Sequence, residues 1–244
     1  MRYPAAMARA ICFDLDGTLA RFTGDFGALA ALLRSELMLH MCDMNTFAAT
    51  LQSEIRRDGA LTLGTVLRRV LERLEQRPPA DLEQVARDAV GTYAADVKLY
   101  PGARELLEEL DAMGVKMALL TNGPYDMQKA ALAAVGIERY FRVVLVSGDR
   151  DVAARKPAPR IFSLACAGLQ TVPEEVVMVG DNLGADVGGA LDYGLQAVLM
   201  AHGGQANDAA GGVPGDLPDD LPSGVPVVRS IEELRPLLME LLSD

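Results

Sequence analysis

From Arg9 to Phe13 the chain is almost wholly apolar, and the run ends at Asp14-Leu15-Asp16-Gly17-Thr18. Such a short run loses water favourably as a strand inside a packed sheet, and the Gly-Thr that follows marks a turn where the strand reaches the surface. After Leu19 the period changes to that of helices. Phe26, Leu29, Leu33 and Leu37 follow at spacings of three and four; Phe47, Leu51 and Ile55 repeat at four; Leu63, Val66, Leu67, Val70, Leu71 and Leu74 form a third stripe. A fourth runs through Leu82, Val85, Ala89 and Tyr93, with Asp81 and Gln84 spaced as a capping box. Residues 21–96 therefore read as a helical insert.

From Lys98 onward, strands alternate with helices of about ten residues. Helices are expected from Pro101 to Met113, Pro124 to Val135, Pro157 to Ala167 and Gly184 to Tyr193, closed by Gly114, Gly136, Gly168 and Gly194. The intervening strands are Val115 to Leu120, Val143 to Val146, Val176 to Val179 and Ala197 to Met200, with a late edge strand at Val225 to Val228 and a final helix capped by Ser230. This alternation predicts an α/β fold: a Rossmann-like core of mainly parallel sheet flanked by helices. The core would comprise residues 1–20 and 97–244, interrupted by an all-helical domain at 21–96. Gly203 to Gly224, rich in Gly, Pro, Asp and Ala, reads as a long exposed loop.

Length and charge narrow the picture further. With 244 residues, half of them apolar, the chain can bury a large core without staples. Three scattered cysteines, Cys12, Cys42 and Cys166, argue against a disulfide framework or a zinc site and for a cytoplasmic protein. Neither a signal peptide nor an apolar run near the ~20 residues of a membrane span is evident. A net charge of −11 disfavours nucleic acid, and it means that any site for an anion must be built locally, as a metal ion would do.

Four segments carry candidate chemistry, and each lies at the end of an expected strand or the start of a helix: Asp14 and Asp16, Thr121-Asn122-Gly123, Lys156-Pro157, and Gly180-Asp181 with Asp186. In a parallel sheet these strand ends share one edge, where ligands gather. Taken singly, each segment also fits a turn or a helix cap. Together they form a group of carboxylates with one lysine and one threonine, and crowded carboxylates call for a hard cation with oxygen ligands, such as Mg²⁺. Around it, one carboxylate could attack phosphorus, a second could manage the proton, and Thr121 and Lys156 could hold the charged phosphoryl group. His40, His202 and the cysteines read as structural. Arg56, Arg57, Arg68 and Arg69 read as a solvated face of the insert, and Phe22 and Thr23 fit either substrate contact or packing.

With these residues assembled, nearly the whole chain resembles the haloacid dehalogenase superfamily, in particular its phosphatases with a helical cap inserted after the first motif. Asp14-Leu15-Asp16-Gly17-Thr18-Leu19 matches the first motif, Thr121 the second, Lys156 the third, and Gly180-Asp181 with Asp186 the fourth. The resemblance implies that Asp14 is nucleophile and Mg²⁺ ligand, and that Asp16 is general acid/base with its backbone carbonyl on the metal. It further implies that Asp181 is a side-chain metal ligand, and that Asp186 orients the metal shell or Lys156. Thr121, Lys156 and Asn122 would hold the phosphate of a small phosphorylated metabolite, under a cap that closes over the site. The Thr-Asn-Gly form of the second motif, with Gln128 beyond it, is similar to a branch that includes nucleotidases and sialic acid phosphate phosphatases; phosphoglycolate phosphatase-like activity stays open. Metal-free dehalogenases of the superfamily lack the second aspartate, which is present here as Asp16. A phosphomutase or a non-catalytic binding protein could be built on the same scaffold, and the oligomeric state is expected to be monomer or homodimer.

Overall fold

A computed structural model describes residues 7–59, 61–202 and 221–243. Its strands are β1 (Ala10–Phe13), β2 (Ala20–Phe22), β3 (Val97–Leu99), β4 (Lys116–Thr121), β5 (Val143–Val146), β6 (Val176–Gly180), β7 (Gln196–Met200) and β8 (Val227–Val228). One six-stranded sheet runs in the order β5-β4-β1-β6-β7-β8, and every pairing in it is parallel. β1, the strand that leads to Asp14, is central, with β4 on one side and β6 on the other. Both of its faces are buried. Ile11 and Phe13 enter one apolar layer, while Ala10 and Cys12 enter the other. Each fully buried Ile or Phe side chain contributes about 1.5–3 kcal/mol, so the strand is held firmly up to Asp14.

The helices are α1 (Phe26–Glu36), α2 (Met44–Ile55), α3 (Leu63–Arg73), α4 (Leu82–Ala95), α5 (Ala103–Ala112), α6 (Tyr125–Val135), α7 (Pro159–Leu169), α8 (Gly189–Tyr193) and α9 (Ile231–Leu242). Residues of α5, α6 and α9 cover one face of the sheet, and residues of α7 and α8 cover the other. Helices α1 to α4 form the cap. Asp25, Asp43 and Thr62 cap the first three, accepting from Gly27 N, Thr46 N and Thr65 N at 2.7, 2.9 and 3.3 Å. Within the cap the fully buried carboxylate of Glu54 is paired with Arg73 at 2.8 Å and Arg57 at 3.2 Å.

The periodicity locates these elements to within a few residues, and three details differ. The connections into and out of the cap, β2 and β3, pair as an antiparallel hairpin, a feature too short to leave a periodic signal. The capping box does not form: Asp81 has φ −100° and ψ 16°, short of the extended backbone a side-chain cap requires, and the Gln84 side chain turns to Asp88 instead. Gly168 does not close its helix. It lies inside α7, where an added Cβ would stand 2.3 Å from Val143 Cγ2, so the glycine serves close packing of helix on strand. Gln170, at φ 54°, takes the left-handed closing position. Most of the expected 203–224 loop, and the first six residues of the chain, lie outside the described residues.

The cap is joined to the core by more than the hairpin. Leu61 N donates to Gly148 O at 2.8 Å and Leu61 O accepts from Tyr125 N at 2.7 Å. Asp126, in the first turn of α6, accepts from Leu63 N at 2.9 Å, so a core carboxylate satisfies an amide at the start of cap helix α3. Arg155 of the core donates to Ile55 O at the end of α2, at 3.2 Å.

Candidate active site

The four sequence segments meet at the carboxyl edge of the sheet. Asp14 follows β1, and its amide extends the ladder by donating to Val179 O at 2.9 Å. Thr121 is the last residue of β4 and Asp181 follows β6. Lys156 comes from the loop before α7; its Nζ donates to Asp14 Oδ1 and to Leu120 O, both at 2.6 Å, and lies 2.8 Å from Asp186 Oδ1. Asn122 holds this loop in place, accepting from Lys156 N at 2.9 Å and donating to Lys156 O at 3.0 Å. Both ends of its amide are thereby spent on backbone, which makes Asn122 a positioning group for Lys156 in this structure.

The expected helix from Gly184 begins instead as a π-helical turn, Leu183–Gly188, with Asn182 capping it through a bond from Ala185 N at 2.8 Å. The wider turn brings Asp186 back so that its Oδ2 accepts from Asn182 N at 2.9 Å while its other oxygen faces Lys156. Gly17 is required beside it: at φ +79°, a Cβ there would fall 2.2 Å from Asp181 Oδ2.

Asp14, Asp181 and Asp186 each offer a carboxylate oxygen within 4.8 Å of the others, and all three are buried. Burial foremost, then the charges of Asp14 and Asp186, push the Asp181 carboxyl well above the usual range. Burial also pushes Asp14 up to about 7, against the pull of Lys156. Burial opposes the charge on Lys156, but Asp14 and Asp186 outweigh it and hold the ammonium above its ordinary value. One cation among three crowded acids leaves the group short of positive charge. Asp181 Oδ2 is buried without a hydrogen-bond partner among the described residues. A buried carboxylate oxygen left bare is costly, and an all-oxygen donor set of this kind suits a hard divalent ion.

Asp16 is held by a different set of partners. Gln128 Nε2 donates to its Oδ2 at 2.9 Å, and the hydroxyl of Tyr93 donates to its Oδ1 at 3.2 Å. Thr121 Oγ1 in turn donates to Gln128 Oε1 at 2.9 Å. Tyr93 read in the sequence as one more core position of the fourth helical stripe, and Gln128 only as a mark of one branch. The sequence signal available for Tyr93 was a hydroxyl on an otherwise apolar stripe near the end of the last cap helix.

These residues line a cavity of about 630 Å³ between core and cap. Its far side is built from Phe22, Phe26, Leu51, Ile55 and Met127, with Arg21, Arg56 and Arg155 among them. Arg56 is exposed, as expected of a solvated face, and also lines the cavity, beside the bond from Arg155 to Ile55 O at the end of α2. Arg57 and Arg68 instead pair with Glu54 and Glu83. Phe22 packs against Phe26 and Tyr93 as well as lining the cavity, while Thr23 is turned to Asp96 O at 2.8 Å. His202 is structural, stacked on Tyr100 with ring centres 3.5 Å apart and with Nε2 3.0 Å from Thr18 O. Burial holds the Cys12 thiol up and inert, and the three cysteines form no disulfide.

A sequence model of the haloacid dehalogenase-like hydrolases matches residues 8–194. The chain belongs to this family of hydrolases. It is similar to a ribulose-1,5-bisphosphate 5-phosphatase of Halopiger xanaduensis, 35% identical over 205 residues that cover 80% of this chain and 85% of the relative. A phosphoglycolate phosphatase of Salmonella choleraesuis is 27% identical over 209 residues, covering 80% and 82% of the two chains. Among solved structures, a haloacid dehalogenase-type phosphatase from Thermococcus onnurineus superposes with a TM-score of 0.66 at 27% identity, over 94% of this chain and 97% of that one. No helix among the described residues is long and apolar enough to cross a membrane.

Proposed function

We propose that this haloacid dehalogenase-like hydrolase is a Mg²⁺-dependent phosphatase that cleaves a small phosphorylated metabolite through a phosphorylated aspartate. The observation that carries the reading is the buried contact of Lys156 with Asp14, beside the unpartnered oxygen of Asp181. Asp14 attacks phosphorus, and the bond from phosphorus to the leaving oxygen breaks. Asp16, protonated at the outset, gives that oxygen its proton and then takes one from the water that attacks the phosphorylated Asp14, which releases phosphate and restores Asp14 as a carboxylate and Asp16 as a carboxylic acid. Asp14, Asp181 and the backbone carbonyl of Asp16 would hold Mg²⁺, with Asp186 fixing Lys156. The ion supplies positive charge that offsets the acids and the phosphoryl oxygens. Lys156 binds and orients the phosphoryl group, Thr121 turns its hydroxyl proton from Gln128 to a phosphoryl oxygen when substrate enters, and Asn122 holds the Lys156 loop.

We read residues 1–20 and 97–244 as the catalytic core and 21–96 as the cap, in a cytoplasmic enzyme that works as monomer or homodimer. The cavity excludes water and selects the leaving group; its arginines favour one that carries negative charge. Phosphatase names among the relatives support the reaction class, and the presence of Asp16 supports a phosphatase over a metal-free dehalogenase. The test is phosphate release from a panel of phosphorylated metabolites with Mg²⁺ and with EDTA. Release that requires Mg²⁺ is expected. Release of halide from 2-haloacids in EDTA would point to the dehalogenase, isomerised product without free phosphate to a mutase, and no turnover at all to a binding protein.

A further inference from the structure

Both oxygens of the Asp16 carboxylate are engaged, and the two donors come from different parts of the molecule. Gln128 stands on core helix α6 and Tyr93 on α4, the last helix of the cap. Gln128 has its orientation set by Thr121, whose hydroxyl donates to Oε1 and leaves Nε2 for Asp16. Tyr93 is 3% exposed, its ring stacks on Phe22 with centres 5.1 Å apart, and its hydroxyl donates to Asp16 Oδ1. Burial and the nearby charge of Asp16 keep the phenol protonated and therefore a donor.

The last torsion of an aspartate is broad and close to two-fold, so one hydrogen bond leaves the carboxylate plane loosely defined. A second donor on the other oxygen fixes it. Here that second donor travels with the cap, and any displacement of α4 from the core removes it. We propose that Tyr93 is a positioning residue for proton transfer: its hydroxyl sets the plane of the Asp16 carboxylate, so that seating the cap and orienting the acid are one event. The proposal rests on the reading of Asp16 as the proton donor to the leaving oxygen. Substrate that enters beneath a displaced cap meets a loosely oriented acid, and cleavage waits for closure.

Tyr93→Phe tests this, since it keeps the ring and its stacking and removes only the hydroxyl. The readout is the ratio of kcat/KM for two esters measured on the same sample with Mg²⁺: an alkyl phosphate that the wild type hydrolyses, whose leaving oxygen needs a proton, and p-nitrophenyl phosphate, whose leaving phenolate hardly does. Because kcat/KM extends only to departure of the leaving group, the later work of Asp16 on water drops out, and a lower folded fraction cancels in the ratio. General acid catalysis is worth about 10²–10⁴-fold, so mispositioning is expected to lower the alkyl-to-aryl ratio by about tenfold or more. An unchanged ratio, whether both rates fall or neither does, overturns the proposal. Asp16→Asn is measured alongside. If it lowers the ratio and Tyr93→Phe does not, the Tyr93 inference alone fails; if neither lowers it, the assignment of Asp16 as acid fails with it.

Discussion

The ammonium of Lys156 meets the carboxylate of Asp14 at 2.6 Å, with side chains only 2% and 10% exposed. Removing one partner of a buried ion pair strands the other, at a cost of about 3–5 kcal/mol. Lys156→Met is therefore expected to lower the midpoint of denaturant unfolding and to cut kcat/KM for a phosphomonoester by about 10²-fold or more, since the phosphoryl group loses its lysine as well. Both losses are read from one preparation by urea titration and by phosphate release. Full activity in that variant would remove Lys156 from the site.

Asp181 makes stability depend on pH in the chelated protein. Its folded carboxyl is held well above the ordinary 3.8, so the folded state binds the proton more tightly than the unfolded chain. That contribution is full below the unfolded value, where the group is protonated in both states, and is lost as pH rises through the raised folded value, at about 1.4 kcal/mol per pH unit between the two. Asp181→Asn does not titrate there. In EDTA the variant should match the wild type at low pH and become the more stable as pH rises, and Mg²⁺ should restore the wild type while doing little for the variant. Thermal unfolding across pH, with and without Mg²⁺, measures both; a gap independent of pH would contradict this role for Asp181.

Asp126 ties the core to the cap through Leu63 N. Asp126→Ala leaves that amide unpaired and should weaken the seating of the cap by about 1 kcal/mol, the usual cost of losing a helix cap. Amide hydrogen exchange should speed up at the start of α3 with little change in β1, and KM should rise more than kcat falls. Uniformly faster exchange through the sheet would mean that Asp126 serves global stability instead.

The sheet and its functional edge were legible because a buried parallel strand leaves an apolar run, and the acids at its end stand out against it. Asp14, Thr121 and Asp181 could be placed together from strand ends, and Lys156 with them from the start of a helix. What depends on contact across long sequence distances was not legible. Tyr93 lies 77 residues from Asp16, and a hydroxyl on an apolar stripe does not say which distant group it meets. Gly168 shows the converse limit: a glycine after a helical pattern reads as a stop, although close packing on Val143 asks for the same residue. The hairpin of β2 and β3 joins three residues to three others more than 70 positions away, too few for periodicity to register.

The central claim is that Asp14 attacks phosphorus. Its most direct test is phosphate release by Asp14→Asn, with Mg²⁺, from a phosphomonoester that the wild type hydrolyses. No release above the uncatalysed background is expected, and undiminished turnover by that variant would contradict the claim.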